Sequence, residues 1–121
     1  MAKAIYTVKI GFSGNTYYPI IVSDAGNVKK MFDTKRDNPS EAIAEGIRIV
    51  EDMLEGYFKV DQSNYKYYTH LHHVASTAVV VTNDNYYDRL DESIRRCKVP
   101  SIWADSIRNE LTVNFIDRYN W

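Results

Sequence analysis

The three histidines stand close together, at His70, His72 and His73. Imidazole is a common ligand of divalent metals, and in a strand His70 and His72 would lie on the same side. A metal site usually needs a third or fourth ligand. Asp61 and Cys97 are the nearest candidates, but no ligand motif joins them to the histidines. We therefore predict a polar segment with imidazoles at its surface, no metal and no other cofactor.

Tyrosines and basic residues form a second candidate site. The chain has 10 tyrosines, several of them in adjacent pairs. Exposed tyrosine is favoured at protein interfaces and also stacks on nucleobases, and arginine pairs with phosphate. Asp88, Asp91 and Glu92 are interleaved with the basic residues, and pairing within one helix would weaken that charge. The predicted binding residues are Tyr17, Tyr67, Tyr68, Tyr86, Arg89, Arg95, Arg96 and Lys98.

Three β-rich runs must position the first of these residues. Residues 4–12 alternate apolar with polar positions, which is typical of a half-buried strand. Residues 16–23 and 28–34 follow, each after a turn sequence. Pro19 lacks a backbone donor and predicts that the second strand lies at an edge or is bulged. Runs joined by tight turns predict an antiparallel meander.

An acidic amphipathic helix of about 18 residues is predicted next. Asp37 or Asn38 can cap it, Pro39 suits its first turn, and Glu41 favours the positive end of the helix dipole. Apolar residues recur at steps of three and four in the order Ile43, Ile47, Val50, Leu54 and Tyr57.

The second half of the chain is less regular. Residues 67–74 are compatible with a strand, and the apolar run 77–82 predicts a strand buried on both faces. Residues 83–98 predict a helix that ends before Pro100. Ser101 can cap a last helix, whose apolar residues are spaced by four. The predicted order is β-β-β-α-β-α-α in one globular domain, 1–121. That is an α+β or α/β fold with a three-stranded antiparallel meander, a crossover helix, a buried fourth strand and two C-terminal helices.

Composition excludes several classes of protein. The chain has 121 residues, with 15 basic and 16 acidic side chains, so it is not a strongly basic nucleic-acid binder. One cysteine forms no intrachain disulfide. No apolar run is long enough to cross a bilayer, and the N-terminus lacks the core of a signal peptide. These features predict a cytoplasmic protein with no membrane partner.

The element order resembles the ribonuclease H-like fold, and several short sequence motifs resemble motifs of that family. Residues 37–41 before the first helix are similar to the family's Thr-Asn-Asn-x-x-Glu entry, which places Glu41 at the second catalytic carboxylate. Residues 80–86 are similar to its strand ending in Thr-Asp-Ser-x-Tyr, where Asn83 replaces the metal-binding Asp and Asp84 comes one place late. Asp105 matches a fourth carboxylate. The first catalytic Asp is missing, because residues 10–13 are Ile-Gly-Phe-Ser.

The resemblance therefore implies the fold with a degenerate active site. Two-metal catalysis needs several converging carboxylates, and replacing two of them removes it. Residues 5–56 also resemble HicB-type antitoxins, through Thr16-Tyr17-Tyr18-Pro19 and Pro39-Ser40-Glu41-Ala42-Ile43. That second resemblance implies a protein partner.

Three function classes stay open at this point. The first is a non-enzymatic binding protein that engages a protein partner, such as an inhibitor or accessory factor of a phage or mobile element. The second is a nucleic-acid or nucleotide binder on a ribonuclease H-like frame. The third is a metal-dependent nuclease that uses Glu41, Asp84 and Asp105. A homo-oligomer is compatible with each of them.

Overall fold

The computed structural model describes residues 4–14, 16–53, 55–77 and 86–119, and their side chains except at residues 86 and 113–119. The fold class is α+β, as predicted, with a mixed four-stranded sheet. Among the described helices, none has the length and hydropathy that crossing a bilayer requires. The elements are β1 (Ile5–Ser13), β2 (Thr16–Ser23), β3 (Val28–Lys30), a 3-10 turn (Phe32–Thr34), α1 (Pro39–Asp52), β4 (Tyr57–Val60), α2 (Gln62–Thr77), α3 (Tyr86–Arg96) and α4 (Ser101–Tyr119).

The chain divides into two compact units, Met1–Thr69 and His70–Trp121, and the division falls within α2. The first unit contains the sheet and α1. The second contains the end of α2 with α3 and α4, and among its described residues the buried apolar side chains are Leu71, Val74, Leu90, Ile107 and Leu111. The single-domain expectation stays a prediction.

The sheet has the strand order β3-β2-β1-β4. The first three strands form the predicted antiparallel meander, and β4 pairs in parallel with β1. Tight turns join the meander, and Gly14 and Gly26 have φ of 55° and 86° there, which glycine adopts without steric cost. The connection through α1 then returns the chain to the free edge of β1.

The position of Pro19 differs from the prediction, because β2 is an inner strand and Pro19 pairs with Ile10 without a bulge. The carbonyl of Pro19 accepts the N–H of Met31 at 2.9 Å. The missing Pro19 donor would face the Met31 carbonyl, and this carbonyl accepts the N–H of Thr34 instead, at 3.0 Å. The 3-10 turn therefore supplies the donor that proline lacks.

Helix α1 begins as predicted. The Asn38 side chain accepts the backbone N–H of Glu41 at 2.9 Å, and Pro39 occupies the first turn. The helix is shorter than predicted and ends at Asp52. One face packs on the sheet, with Ala42, Ile43, Gly46, Ile49 and Val50 buried. The helix lies close to the sheet at Gly46, since a Cβ there would lie 2.6 Å from Cγ1 of Val8.

Three strand predictions need correction. The third strand, predicted over 28–34, ends at Lys30, and Phe32–Thr34 form the 3-10 turn. The fourth strand is Tyr57–Val60, an edge strand with no buried residue, whose first residue the helical spacing assigns to the preceding helix. The predicted strand 67–74 is helical and belongs to α2. Asp61 caps the start of this helix, because its Oδ1 accepts the N–H of Asn64 at 3.1 Å. The predicted strand 77–82 begins on the last residue of α2, and its other residues lie outside the described ranges. The helices predicted over 83–98 and from Ser101 are present as α3 and α4.

Candidate functional sites

The sheet of the first unit has two different faces. Side chains alternate along each strand, and paired residues share a face. Val8 and Pro19 lie against Gly46, so their face is the one that α1 covers. The opposite face is named the open face here, and its side chains are Ile5, Thr7, Lys9, Tyr18, Ile20, Val22, Val28, Lys30, Tyr57 and Lys59.

The open face is rich in exposed apolar groups. Val28 is 58% exposed, Tyr57 is 62% exposed and Ile5 is 41% exposed. Ile5 and Tyr57 are paired across β1 and β4, and Val28 is paired with the half-buried Val22. Large apolar side chains that stay in contact with water on one sheet face are typical of a surface that binds another molecule.

Aromatic rings shape one end of this face. The Tyr18 ring lies across Gly11, where an added Cβ would be 2.2 Å from the ring Cζ. The Phe32 ring packs against Tyr18 with centroids 4.6 Å apart, and Phe32 is half exposed. Glycine at position 11 thus lets an aromatic ring lie flat on the sheet, which extends the apolar surface.

The charge of the open face is positive. It carries Lys9, Lys30 and Lys59, and none of its side chains is acidic. Lys9 lies 4.0 Å from the carboxylate of Asp61, which precedes α2. Lys30 and Lys59 form no ion pair within the described part of the chain. The apolar side chains are therefore flanked by cations that remain available to a partner.

The predicted tyrosines of the first unit lie elsewhere. Tyr17 is only 2% exposed and its ring packs against Phe12 and Tyr68, at 5.1 and 6.2 Å. Tyr67 and Tyr68 are half-buried on α2 and meet edge to face at 5.0 Å. This aromatic cluster joins α2 to the hairpin of β1 and β2 on the α1 side of the sheet. Its burial gives it a structural role, so we do not include it in the proposed binding surface.

The predicted basic group lies on α3 and just after it. Arg89, Arg95, Arg96 and Lys98 are all exposed. Arg96 binds Glu92 at 2.7 Å, so part of the expected intrahelical pairing is present. Tyr86 begins α3, and its side chain lies outside the described residues.

A small pocket adjoins this basic group in the second unit. It is lined by Thr77, Arg89, Glu92, Ser93 and Arg96. Ser93 is buried, and its hydroxyl lies 2.6 Å from that of Thr77 and donates to the Val74 carbonyl at 3.2 Å. Arginines and hydroxyls are the groups that proteins use to bind oxyanions.

His70 and His72 do not lie on the same side, although the strand interpretation places them there. They lie on α2, where residues two apart point in different directions. The His70 ring packs on Trp103 with centroids 5.7 Å apart. Partial burial lowers the pKa of His72, and the charge of His73 lowers it further. Across the described residues, no group of three or more His, Cys, Asp and Glu side chains is placed to hold a metal ion.

Two of the carboxylates of the ribonuclease H resemblance, Glu41 and Asp105, belong to different units. Glu41 is exposed in the first turn of α1, in the first unit, and Asp105 is exposed on α4, in the second. Asp84 lies outside the described residues. The nuclease hypothesis therefore stays a prediction.

Sequence reasoning missed the open face. The relevant signal is the run Tyr17 to Val22 in β2, which is apolar at nearly every position rather than alternating. Such a run indicates a strand with apolar groups on both faces. The sequence of one strand does not determine which of its faces a helix covers, because that depends on how the strands pair and on the path of α1.

Comparisons with known proteins return no match: no family model, no curated protein and no solved structure is similar enough to this chain.

Proposed function

We propose that the chain is a non-enzymatic binding protein that docks another protein on the open face of its sheet. The observation that carries the proposal is the set of exposed apolar side chains on that face, with Ile5, Val28 and Tyr57 each more than 40% exposed. A sheet that is apolar on both sides needs cover on both sides to remove that area from water. Helix α1 covers one side, and a protein partner would cover the other.

The charge of the open face selects the partner's chemistry. Lys9, Lys30 and Lys59 favour a partner whose contact surface is apolar and rimmed by acidic groups. A second copy of this chain would bring lysines against lysines, and like charges across an interface oppose association. The proposed occupant is therefore an acidic heterologous protein.

The element order of the first unit supports a ribonuclease H-like frame for this function. The order β-β-β-α-β is present in β1 to β4 with α1. Residues 10–13, where the resemblance needs its first catalytic Asp, contain no acid. We propose that the frame serves recognition, in an inhibitor or accessory factor of a phage or mobile element. A cytoplasmic location belongs to the same proposal.

Site-specific photocrosslinking tests this proposal. A photoreactive amino acid replaces Val28 or Tyr57 on the open face, and Ile102 on α4 serves as the matched control because it is 79% exposed and apolar. The chain is expressed in cells that naturally make it, irradiated and purified under denaturing conditions. We expect the same partner protein to be crosslinked at both open-face positions, and we expect no crosslink to that protein at position 102.

The joined protein is then purified and its affinity measured by calorimetry. Val28→Glu should weaken binding at least about tenfold, because it places an anion in the apolar part of the interface. Ile102→Glu should leave binding unchanged. Equal crosslinking at Ile102, or an affinity that Val28→Glu does not change, would contradict the proposal. Crosslinks only to a second copy of the chain would replace it with self-association.

A further inference from the structure

The pocket of the second unit has a size and lining that suit one small charged group. Its volume is about 120 Å³, and α3 and the end of α2 supply its walls. Pockets for whole cofactors or drug-sized ligands are larger, roughly 300–1,000 Å³. A ligand that binds here would insert a single headgroup.

Two arginines give the pocket its positive charge. Arg89 and Arg96 are two helical turns apart on α3, so both lie on the side that lines the pocket. Arg96 is paired with Glu92, which is also a lining residue. Arg89 forms no ion pair within the described part of the chain. The lining therefore has two cations against one anion.

The other side of the pocket is polar without being charged. Ser93 is 4% exposed, and its Oγ donates to the Val74 carbonyl. Thr77 Oγ1 lies 2.6 Å from Ser93 Oγ and 3.0 Å from the His73 carbonyl oxygen, so its single hydrogen has two acceptors within reach. A hydroxyl hydrogen rotates about its C–O bond, so the Thr77 hydroxyl can redirect its hydrogen to an incoming anion.

We propose that this pocket binds the phosphoryl group of a small phosphate monoester. Arginine binds phosphate oxygens through two parallel N–H donors, and two arginines suit the double charge of a terminal phosphate. Glu92 competes with the ligand for Arg96 and opposes every anion, but the lining keeps a net positive charge, which attracts a dianion more strongly than a monoanion. A phosphodiester within a nucleic acid carries one charge and two substituents, and it fits this small pocket less well. The site shares no residue with the open face, so this proposal does not depend on the proposed protein docking.

Titration with inorganic phosphate and with glycerol phosphate, followed by amide NMR shifts, tests the site at constant ionic strength. We expect saturable shifts at Thr77, Arg89 and Ser93 with both compounds. Arg89→Ala should weaken binding at least about fivefold, because it removes a charge-assisted contact. Glu92→Gln should strengthen binding, because it frees Arg96.

Arg95→Ala is the matched control, since Arg95 is an exposed arginine of the same helix that does not line the pocket. It should change the affinity less than twofold by the ordinary effect of a surface charge. Equal weakening by Arg95→Ala and Arg89→Ala would overturn the proposal, because it would show general electrostatic attraction. Linear shifts without saturation would also overturn it. Tighter binding of an oligonucleotide without terminal phosphate, with the same shifts, would replace it with a nucleic-acid interface.

Discussion

The side chain of Asn64 takes the place of a neighbouring strand beside Ile10. Its Oδ1 accepts the Ile10 backbone N–H at 2.5 Å, and its Nδ2 donates to the Ile10 carbonyl at 3.3 Å. Both backbone groups point toward the edge of β1 just beyond the end of β4. One amide thereby extends the sheet by a pair of hydrogen bonds and fixes the start of α2 against β1.

Asn64→Leu should destabilise the first unit by about 2 kcal/mol, because it leaves a part-buried donor and acceptor without partners. Chemical denaturation monitored by circular dichroism measures the change. Asn64→Asp should cost less, since a carboxylate still accepts the Ile10 N–H. Gln62→Leu, at an exposed position of the same helix, is the control and should stay within about 0.5 kcal/mol. An equal effect of the two leucine substitutions would show that the amide pairing does not stabilise the fold.

Gly46→Ala should also destabilise the protein, although alanine is the better helix former. The new Cβ would lie 2.6 Å from Val8 Cγ1 and 3.0 Å from Pro19 Cβ, so α1 must move away from the sheet. Overpacking of this kind costs about 1–3 kcal/mol. The same denaturation experiment measures it.

Val8→Ala provides the coupling test for this contact. Val8→Ala removes the 2.6 Å contact and leaves the 3.0 Å contact with Pro19 Cβ, so Gly46→Ala should cost less in this background than in the parent chain. A double-mutant cycle gives the difference directly. Identical costs in both backgrounds would show that the contact with Val8 is not what makes glycine necessary.

The elements that residue types define locally were predictable from the sequence. Asn38, Pro39 and Glu41 mark the start of α1, and its apolar residues repeat at helical spacing. The strand β4 was missed because it is only four residues long, and Tyr57 continues the spacing of the helix before it. Local spacing cannot separate the two states, since the pairing with β1 decides between them.

Helix α2 was missed for a different reason. Its sequence is rich in Tyr, His and Thr, which have modest helix propensity, and only Leu71 and Val74 are buried in it. Its start depends on the cap by Asp61 and on the contact between Asn64 and Ile10. The open face could not be predicted from the sequence either, because it is defined by which side of the sheet α1 covers.

Lys98→Gly should stabilise the second unit by about 1 kcal/mol. Lys98 has a φ of 54° directly after α3, in the left-handed region where a Cβ is unfavourable. The Lys98 and Val99 N–H groups bond to the carbonyls of Arg95 and Ile94, at 3.1 and 3.3 Å, which is the Schellman pattern. Glycine keeps these bonds without the steric cost.

Lys98→Ala separates backbone strain from loss of the lysine charge. The substitution removes the charge but keeps a Cβ, so the free energy of unfolding of the variant should stay close to that of the parent chain. Thermal unfolding of the three proteins measures the differences. A gain with alanine equal to the gain with glycine would attribute the effect to charge and contradict the strain argument.

The stability of the second unit should fall as pH decreases below 6.5, and His72 should contribute to that fall. Burial and the neighbouring His73 lower the pKa of His72 from its ordinary value of 6.5. The unfolded chain therefore binds a proton at a higher pH than the folded chain does, and between the two pKa values stability rises with pH. Above pH 6.5 both states are neutral at His72 and the dependence disappears.

Unfolding free energies measured from pH 5 to pH 8 should show a smaller slope for His72→Gln than for the parent chain. His73→Gln should reduce the slope less, because it removes only the secondary cause. An unchanged slope in His72→Gln would show that protonation of His72 does not contribute to the pH dependence of the unfolding free energy in this range.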